Sequence, residues 1–344
     1  MRRRLGIVVC ALLLLCTGCS REDSGAYDKG MEALALADYD TAMENFQKAA
    51  NEDDRKAEAY RGEGIIYLRR QDYEHAITLF SLSLQEMKHK NQEFREDVLF
   101  YQAEAYQGNG QEQEALDIYE SLIKGSQPAQ AYFVRGNLYL QKGDLDQAEA
   151  DFRMAVNKSG EYEIYIQIYE AYAAVNREAD GALYLEEALQ KEATDADQYY
   201  QEGRIYTYLE EYDKAKTSLN QAVSAGKEEA IFLLGQVCLK TGGVSEARAL
   251  YQSCLDQELQ PAAAYNGLAL CEMAEKNYDS ALAYIQQGLD CQDSQEEETL
   301  LFNEIVIYEY RLDFETAKAK MTDFLAKYPN NQTAIRENTF LQSR

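Results

Sequence analysis

Proline, tryptophan and histidine are scarce in this 344-residue chain, which has 3 Pro, no Trp and 2 His. So few prolines fit a chain that is helical almost throughout, because Pro breaks helix interiors. His75 and His89 stand far in sequence from the cysteines, which speaks against a zinc site or a His-dependent triad. Basic residues are also short, 34 Lys+Arg against 60 Asp+Glu, for a net charge of −26. So acidic a chain is a poor partner for nucleic acid, where phosphates must be neutralised by clustered Lys and Arg. A long apolar run is missing as well. The stretch from Leu5 to Cys16 is about 12 residues, and a spanning helix needs ~20. What the chain does have is 27 Tyr and 46% hydrophobic residues, enough to bury a core.

The chain opens Met1-Arg2-Arg3-Arg4, runs apolar to Cys16 and continues Thr17-Gly18-Cys19-Ser20. A basic start, a short apolar stretch and small residues make a secretory signal. The Thr17-Gly18-Cys19 end resembles a bacterial lipobox. That resemblance implies cleavage after residue 18, a palmitate-type lipid on Cys19, and a protein lipid-anchored on the extracytoplasmic face of a bacterial cell membrane. Cys16 stands where the family usually has Leu; Leu14 and Leu15 are too bulky for processing at Cys16 itself. An ordinary secreted protein cut near Gly18 is the alternative. Removing residues 1–18 takes away three Arg and no acid and leaves a net charge of −29. Residues 19–25 then form a short linker; six extended residues reach only ~20 Å. Cys238, Cys254, Cys271 and Cys291 remain in the body of the chain. An even number in an exported chain permits disulfides, but buried free thiols are the simpler reading.

From residue 23 onward the chain repeats. Tyr60, Gly64, Tyr67, Ala76 and Phe80 recur as Tyr132, Gly136, Tyr139, Ala148 and Phe152, and again as Tyr199, Gly203, Tyr206, Ala215 and Leu219. The offset is about 34 residues or a multiple of it, and the pattern resembles the tetratricopeptide repeat, a helix–turn–helix unit. That resemblance implies an all-α solenoid of about nine repeats, covering 23–331 and forming a right-handed superhelix. The repeats start near residues 23, 57, 96, 129, 162, 196, 228, 262 and 298, and residues 332–344 form a C-terminal capping helix.

In that register position 20 is always small: Ala42, Ala76, Ala115, Ala148, Gly181, Ala215, Ala247, Ala281 and Ala317. Position 24 is large in every repeat, from Phe46 and Phe80 to Ile285 and Met321. Paired helices approach closely only where short side chains meet and large ones fill the surrounding gaps. Position 8 supplies the facing small residue, among others Gly30, Gly64, Gly136, Gly203 and Gly235. In the fifth repeat Tyr169 takes that place opposite Gly181, a size exchange across one contact. Tyr67, Tyr106, Tyr139, Tyr172, Tyr206 and Tyr308 all occupy position 11 and are expected in the core. Pro128, Pro261 and Pro329 fall between helices, where Pro is tolerated.

The resemblance places the first helix of each repeat on a concave inner face. The residues expected to meet a partner there are Arg61, Phe100, Phe133, Asn137, Tyr200, Arg204, Phe232, Gln236 and Phe302. Position 5 is aromatic in six of nine repeats, which suits an extended peptide or an amphipathic helix lying in a groove; rings that only fill joints between repeats are the alternative. The same face carries Glu58, Asp97, Glu104, Glu163, Glu170, Asp197, Glu229 and Glu309 against Arg61, Arg69, Arg204 and Lys240. Basic partners are therefore favoured kinetically; a merely solvated acidic surface is the alternative. The Lys/Asn/Arg carboxylate clamp of chaperone-binding relatives is not reproduced by Asn137 with Arg61 or Arg204. No convergent polar site marks an enzyme, and no metal or cofactor is implied. The expected function is a membrane-anchored scaffold that binds a protein or peptide in envelope or surface-complex assembly. The alternatives are a surface lipoprotein that binds carbohydrate or nutrients through inner-face aromatics, against which the lack of Trp counts, and a spacer with an empty groove.

Overall fold

The computed structural model describes residues 25–87, 91–293 and 295–344. The leader, Cys19 and His89 lie outside them. The described residues form 19 α-helices and no strand, the all-α helical repeat expected from the sequence. They divide into two compact units, one ending at Gly181 and the other spanning Ala182–Arg344.

The first unit holds α1 (Ala26–Ala35), α2 (Tyr39–Asn51), α3 (Lys56–Arg69), α4 (Tyr73–Glu86), α5 (Gln92–Gly108), α6 (Glu112–Lys124), α7 (Ala129–Lys142), α8 (Leu145–Ser159) and α9 (Tyr162–Ala174). The division falls inside α10 (Glu178–Ala188). The second unit continues with α11 (Ala196–Tyr208), α12 (Tyr212–Ser224), α13 (Glu229–Lys240), α14 (Val244–Asp256), α15 (Pro261–Ala274), α16 (Tyr278–Asp290), α17 (Glu297–Tyr310), α18 (Phe314–Lys327) and α19 (Gln332–Leu341).

One turn links the two helices of every repeat. The backbone N–H of Asp38 donates to Ala33 O at 2.9 Å, Asp72 to Tyr67, Asp144 to Tyr139, Asn277 to Glu272 and Asp313 to Tyr308. This six-to-one bond ends a helix on a left-handed residue. That residue is Gly at Gly110, Gly143 and Gly242, and elsewhere a non-glycine such as Gln71, Glu210 or Leu312, all with φ between 55° and 82°. Where an aspartate follows, it caps the next helix: Asp38 accepts from Thr41 N at 3.1 Å and Asp313 from Thr316 N at 3.2 Å. Each such cap stabilises its helix by about 1 kcal/mol.

The position-24 side chains form the spine of each unit. Phe46, Phe80 and Phe152 are fully buried in the first, as are Leu219 and Met321 in the second. The structure refines the partner expected for the position-8 glycines. Their closest neighbours are these large side chains rather than the small residue at position 20. A β-carbon on Gly30 would meet the Phe46 ring at 2.7 Å, and one on Gly62, in the next repeat, would meet the other edge at 2.6 Å. Phe46 is thus held between two helices that both lack a side chain. Tyr251 is clasped in the same way by Gly235 and Gly267.

The position-11 tyrosines depart from expectation. Tyr172 is buried, but Tyr67, Tyr106, Tyr139, Tyr206 and Tyr308 are half-buried. They sit in the last turn of the helix, beside the interhelical loop, so the ring packs while the phenol edge meets water. Cys238, Cys254 and Cys271 are buried free thiols, whereas Cys291 is a free thiol at the surface. At the C-terminal end α19 caps the stack, burying Ala334 and Leu341 in one cluster with Ile305, Met321 and Phe324.

Candidate partner-binding face

Most successive odd-numbered helices within a unit touch one another: α1 with α3, α3 with α5 and α7 with α9 in the first, and α11, α13, α15 and α17 in turn in the second. Successive even-numbered helices do not meet to a comparable extent. A two-layer stack whose one layer is closer-spaced curves toward that layer, so the odd-helix row is the inner side of each unit.

In the first unit the row presents Arg61, Phe100, Phe133 and Asn137. Phe133 and Asn137 are each only 6% exposed, so both are largely withdrawn from the surface. Phe100 is half-buried and tilts against Tyr119 with ring centroids 6.3 Å apart. Arg61 Nε lies 2.6 Å from Asp97 Oδ2 as an ion pair without an aligned hydrogen bond, and its guanidinium covers the rings of Phe94 and Tyr101. Burial raises the Asp97 carboxyl above the usual range even though Arg61 opposes the shift. Burial likewise raises Glu104, opposed by Arg69.

In the second unit the row presents Tyr200, Arg204, Phe232, Gln236 and Phe302. Phe232 tilts on Tyr251 at 6.4 Å and Phe302 on Phe324 at 5.7 Å, and both remain half-buried. Tyr200 carries Lys227 over its ring at 5.8 Å, and that lysine is paired with Asp197 at 2.7 Å. Arg204 Nη1 donates to Gln201 Oε1 at 2.8 Å. Gln236 is exposed. Burial, joined by the neighbouring charge and carboxyl contact of Glu337 on α19, pushes Glu309 up to about 7.

One construction recurs in both units. A position-5 ring rests on a deeply buried ring some nineteen residues later: Tyr27 on Phe46, Phe100 on Tyr119, Phe133 on Phe152 and Phe232 on Tyr251. The inner-row rings are therefore fixed by the core beneath them, and where half-buried they keep one edge in solvent. Such pairs contribute about 0.5–1.5 kcal/mol beyond area burial.

Sequence pattern did not find the polar joints between paired helices. Arg135 makes a two-pronged bond to Asp151 at 2.8 Å for both contacts. Ser218 Oγ donates to Glu202 at 2.5 Å, and Lys320 pairs with Glu304 at 2.7 Å. All three join position 7 of a repeat to position 23, a spacing visible in the sequence once the register is known. Among the described residues no cluster of His, Cys, Asp and Glu could hold a metal, and no helix is long and apolar enough to cross a membrane.

Stacked helix pairs joined by one repeated capped turn define a helical-repeat solenoid. The tetratricopeptide repeat family model matches residues 27–87, 100–163, 200–257 and 232–296, and the chain belongs to that family. Comparison with curated protein sequences gave no match. Among solved structures the chain is similar to one from the APC/C hetero-tetramer Cut9–Hcn1, with 15% identity over 92% of this chain and 75% of that one and a TM-score of 0.42. A tetratricopeptide repeat protein from Parabacteroides merdae is 15% identical over 72% of this chain and 97% of that one, at a TM-score of 0.40. YrrB, described as a repeat protein with an unusual peptide-binding site, is 21% identical over 50% of this chain and 91% of its own, at a TM-score of 0.34.

Proposed function

We propose that this protein is a lipid-anchored, extracytoplasmic scaffold whose units each capture a protein or peptide partner along their own odd-helix row, with no catalytic role. The observation that carries this reading is the seating of Phe100, Phe232 and Phe302 on buried rings with an edge left in solvent. A ring already immobilised loses little entropy when a partner covers it, which favours binding. The net charge of −26 favours a partner with a basic segment. The tether is Cys19, and a lipid there would hold the protein at a surface without spanning it.

A photo-crosslinking amino acid at position 100 or 232 should trap a discrete protein partner in intact cells, while one at Gln113, exposed on α6, should not. Phe100→Ala and Phe232→Ala should abolish capture without loss of helicity. Cys19→Ser should move the protein from the membrane to the soluble fraction and remove palmitate labelling. Equal crosslinking from both faces would end the groove reading; unchanged membrane association of the serine variant would end the anchor reading.

A further inference from the structure

The second unit has a feature on its even-helix side that the inner row does not use. Between α14 and α16, over α15, lies an open depression of about 510 Å³, within the ~300–1,000 Å³ typical of small-ligand sites. Its origin can be read from the repeat. Glu272 occupies position 11, the column held by tyrosine in six other repeats, and its carbonyl accepts the same turn-closing bond, from Asn277 at 2.8 Å. A carboxylate in place of a phenol removes volume at the joint.

The carboxylate is built in rather than left over. Glu272 is 8% exposed. Its Oε1 takes a bond from Arg248 Nη1, and its Oε2 takes one from Asn277 Nδ2 at 2.9 Å. Arg248 also reaches Glu275 at 2.7 Å and so clamps α14 to α15. Burial acts to raise the Glu272 carboxyl, but the bonds from Arg248 and Asn277 and the Arg248 charge outweigh it and leave it below the usual range, hence ionised. Tyr265 and Tyr284 form an aromatic wall, their ring centroids 6.3 Å apart and 28° from parallel. Gln252, Ser280 and Gln287 complete the polar lining.

This lining is selective in its chemistry. Hydroxyls and amides both donate and accept hydrogen bonds, as do the hydroxyls of a polyol. An anion would need an array of donors, but none of the lining residues is Lys or Arg, and Arg248, which holds Glu272, is already committed to two carboxylates. A cation would need free acceptors, and the one buried carboxylate is already held by two donors. Flat rings beside such groups offer an apolar surface to the C–H face of a pyranose. We propose that this depression is a carbohydrate subsite, sized for one or two sugar rings, with Tyr265 and Tyr284 as the stacking wall and Ser280, Gln252 and Gln287 bonding the ring hydroxyls. It is independent of partner capture on the inner row.

The test is calorimetric and NMR titration of the protein with maltose, cellobiose and N,N′-diacetylchitobiose, with spermidine as a cationic control, each to ~10 mM, ten times the millimolar Kd of a weak single site. At least one disaccharide should saturate and shift the backbone amides of Ser280 and Gln287. Ala283→Trp, which fills the depression from an exposed lining position, should weaken that binding at least tenfold. Gln287→Ala should weaken it several-fold, and both variants should melt like the parent. Absence of saturation by all three sugars, binding unchanged in Ala283→Trp, or saturation by spermidine instead would overturn the assignment.

Discussion

A β-carbon placed on Gly181 would lie 2.9 Å from the Cα of Tyr169 and 3.1 Å from its ring. In the other repeats position 20 carries alanine and position 8 a small residue in all but the last; here the large group has moved to the other helix. The contact predicts coupled mutations. Gly181→Ala alone should overpack the joint and cost about 1–3 kcal/mol. Tyr169→Gly alone should open a cavity, and the two together should recover much of the loss. A double-mutant cycle by chemical denaturation measures the coupling; strictly additive effects would show that the two positions do not share one space.

The Arg135–Asp151 pair joins α7 to α8 with both groups largely out of water, at 18% and 7% side-chain exposure. Removing one partner leaves the other charge buried and uncompensated. Asp151→Ala should therefore destabilise the first unit by about 3–5 kcal/mol, whereas replacing both residues with apolar ones of similar volume should cost far less. Equal losses for the single and double variants, read by thermal melting, would contradict this account.

Glu63 on α3 is buried, and burial pushes its carboxyl up to about 7. Its repeat has Leu79 where other repeats place Asp151, Ser218 or Lys320 opposite position 7, so the register supplies no polar partner there. The folded state holds the proton more tightly than the unfolded chain does. The stabilising contribution is thus complete below about pH 4.5 and is lost as pH rises through 7. Glu63→Gln should raise the melting temperature more at pH 8 than at pH 4.5, where each kcal/mol is worth ~2–4 °C in a unit of this size. A pH-independent difference between the two proteins would remove Glu63 from the explanation.

Much of this protein was legible in its sequence, for physical reasons. Helical pairing needs short side chains at fixed spacing, so Ala42, Ala76, Ala148 and their equivalents disclosed the fold, and Gly181 with Tyr169 disclosed its one size exchange. The spacing of inner-row residues such as Phe100 and Phe232 was legible too, because it follows from helix period alone. Their exposure was not. Phe133 and Asn137 share that register yet are buried, because exposure depends on how far neighbouring helices approach, and no single repeat encodes that distance. The half-burial of Tyr67 and Tyr106 follows from their place in the last turn of α3 and α5, beside the loop. The Arg248–Glu272–Asn277 clamp and the depression beside it arise where one repeat leans on the next. Local periodicity therefore determined the repeated helix pair, and only tertiary packing decided which of its regularly spaced side chains reach the surface and where a joint between repeats stays open.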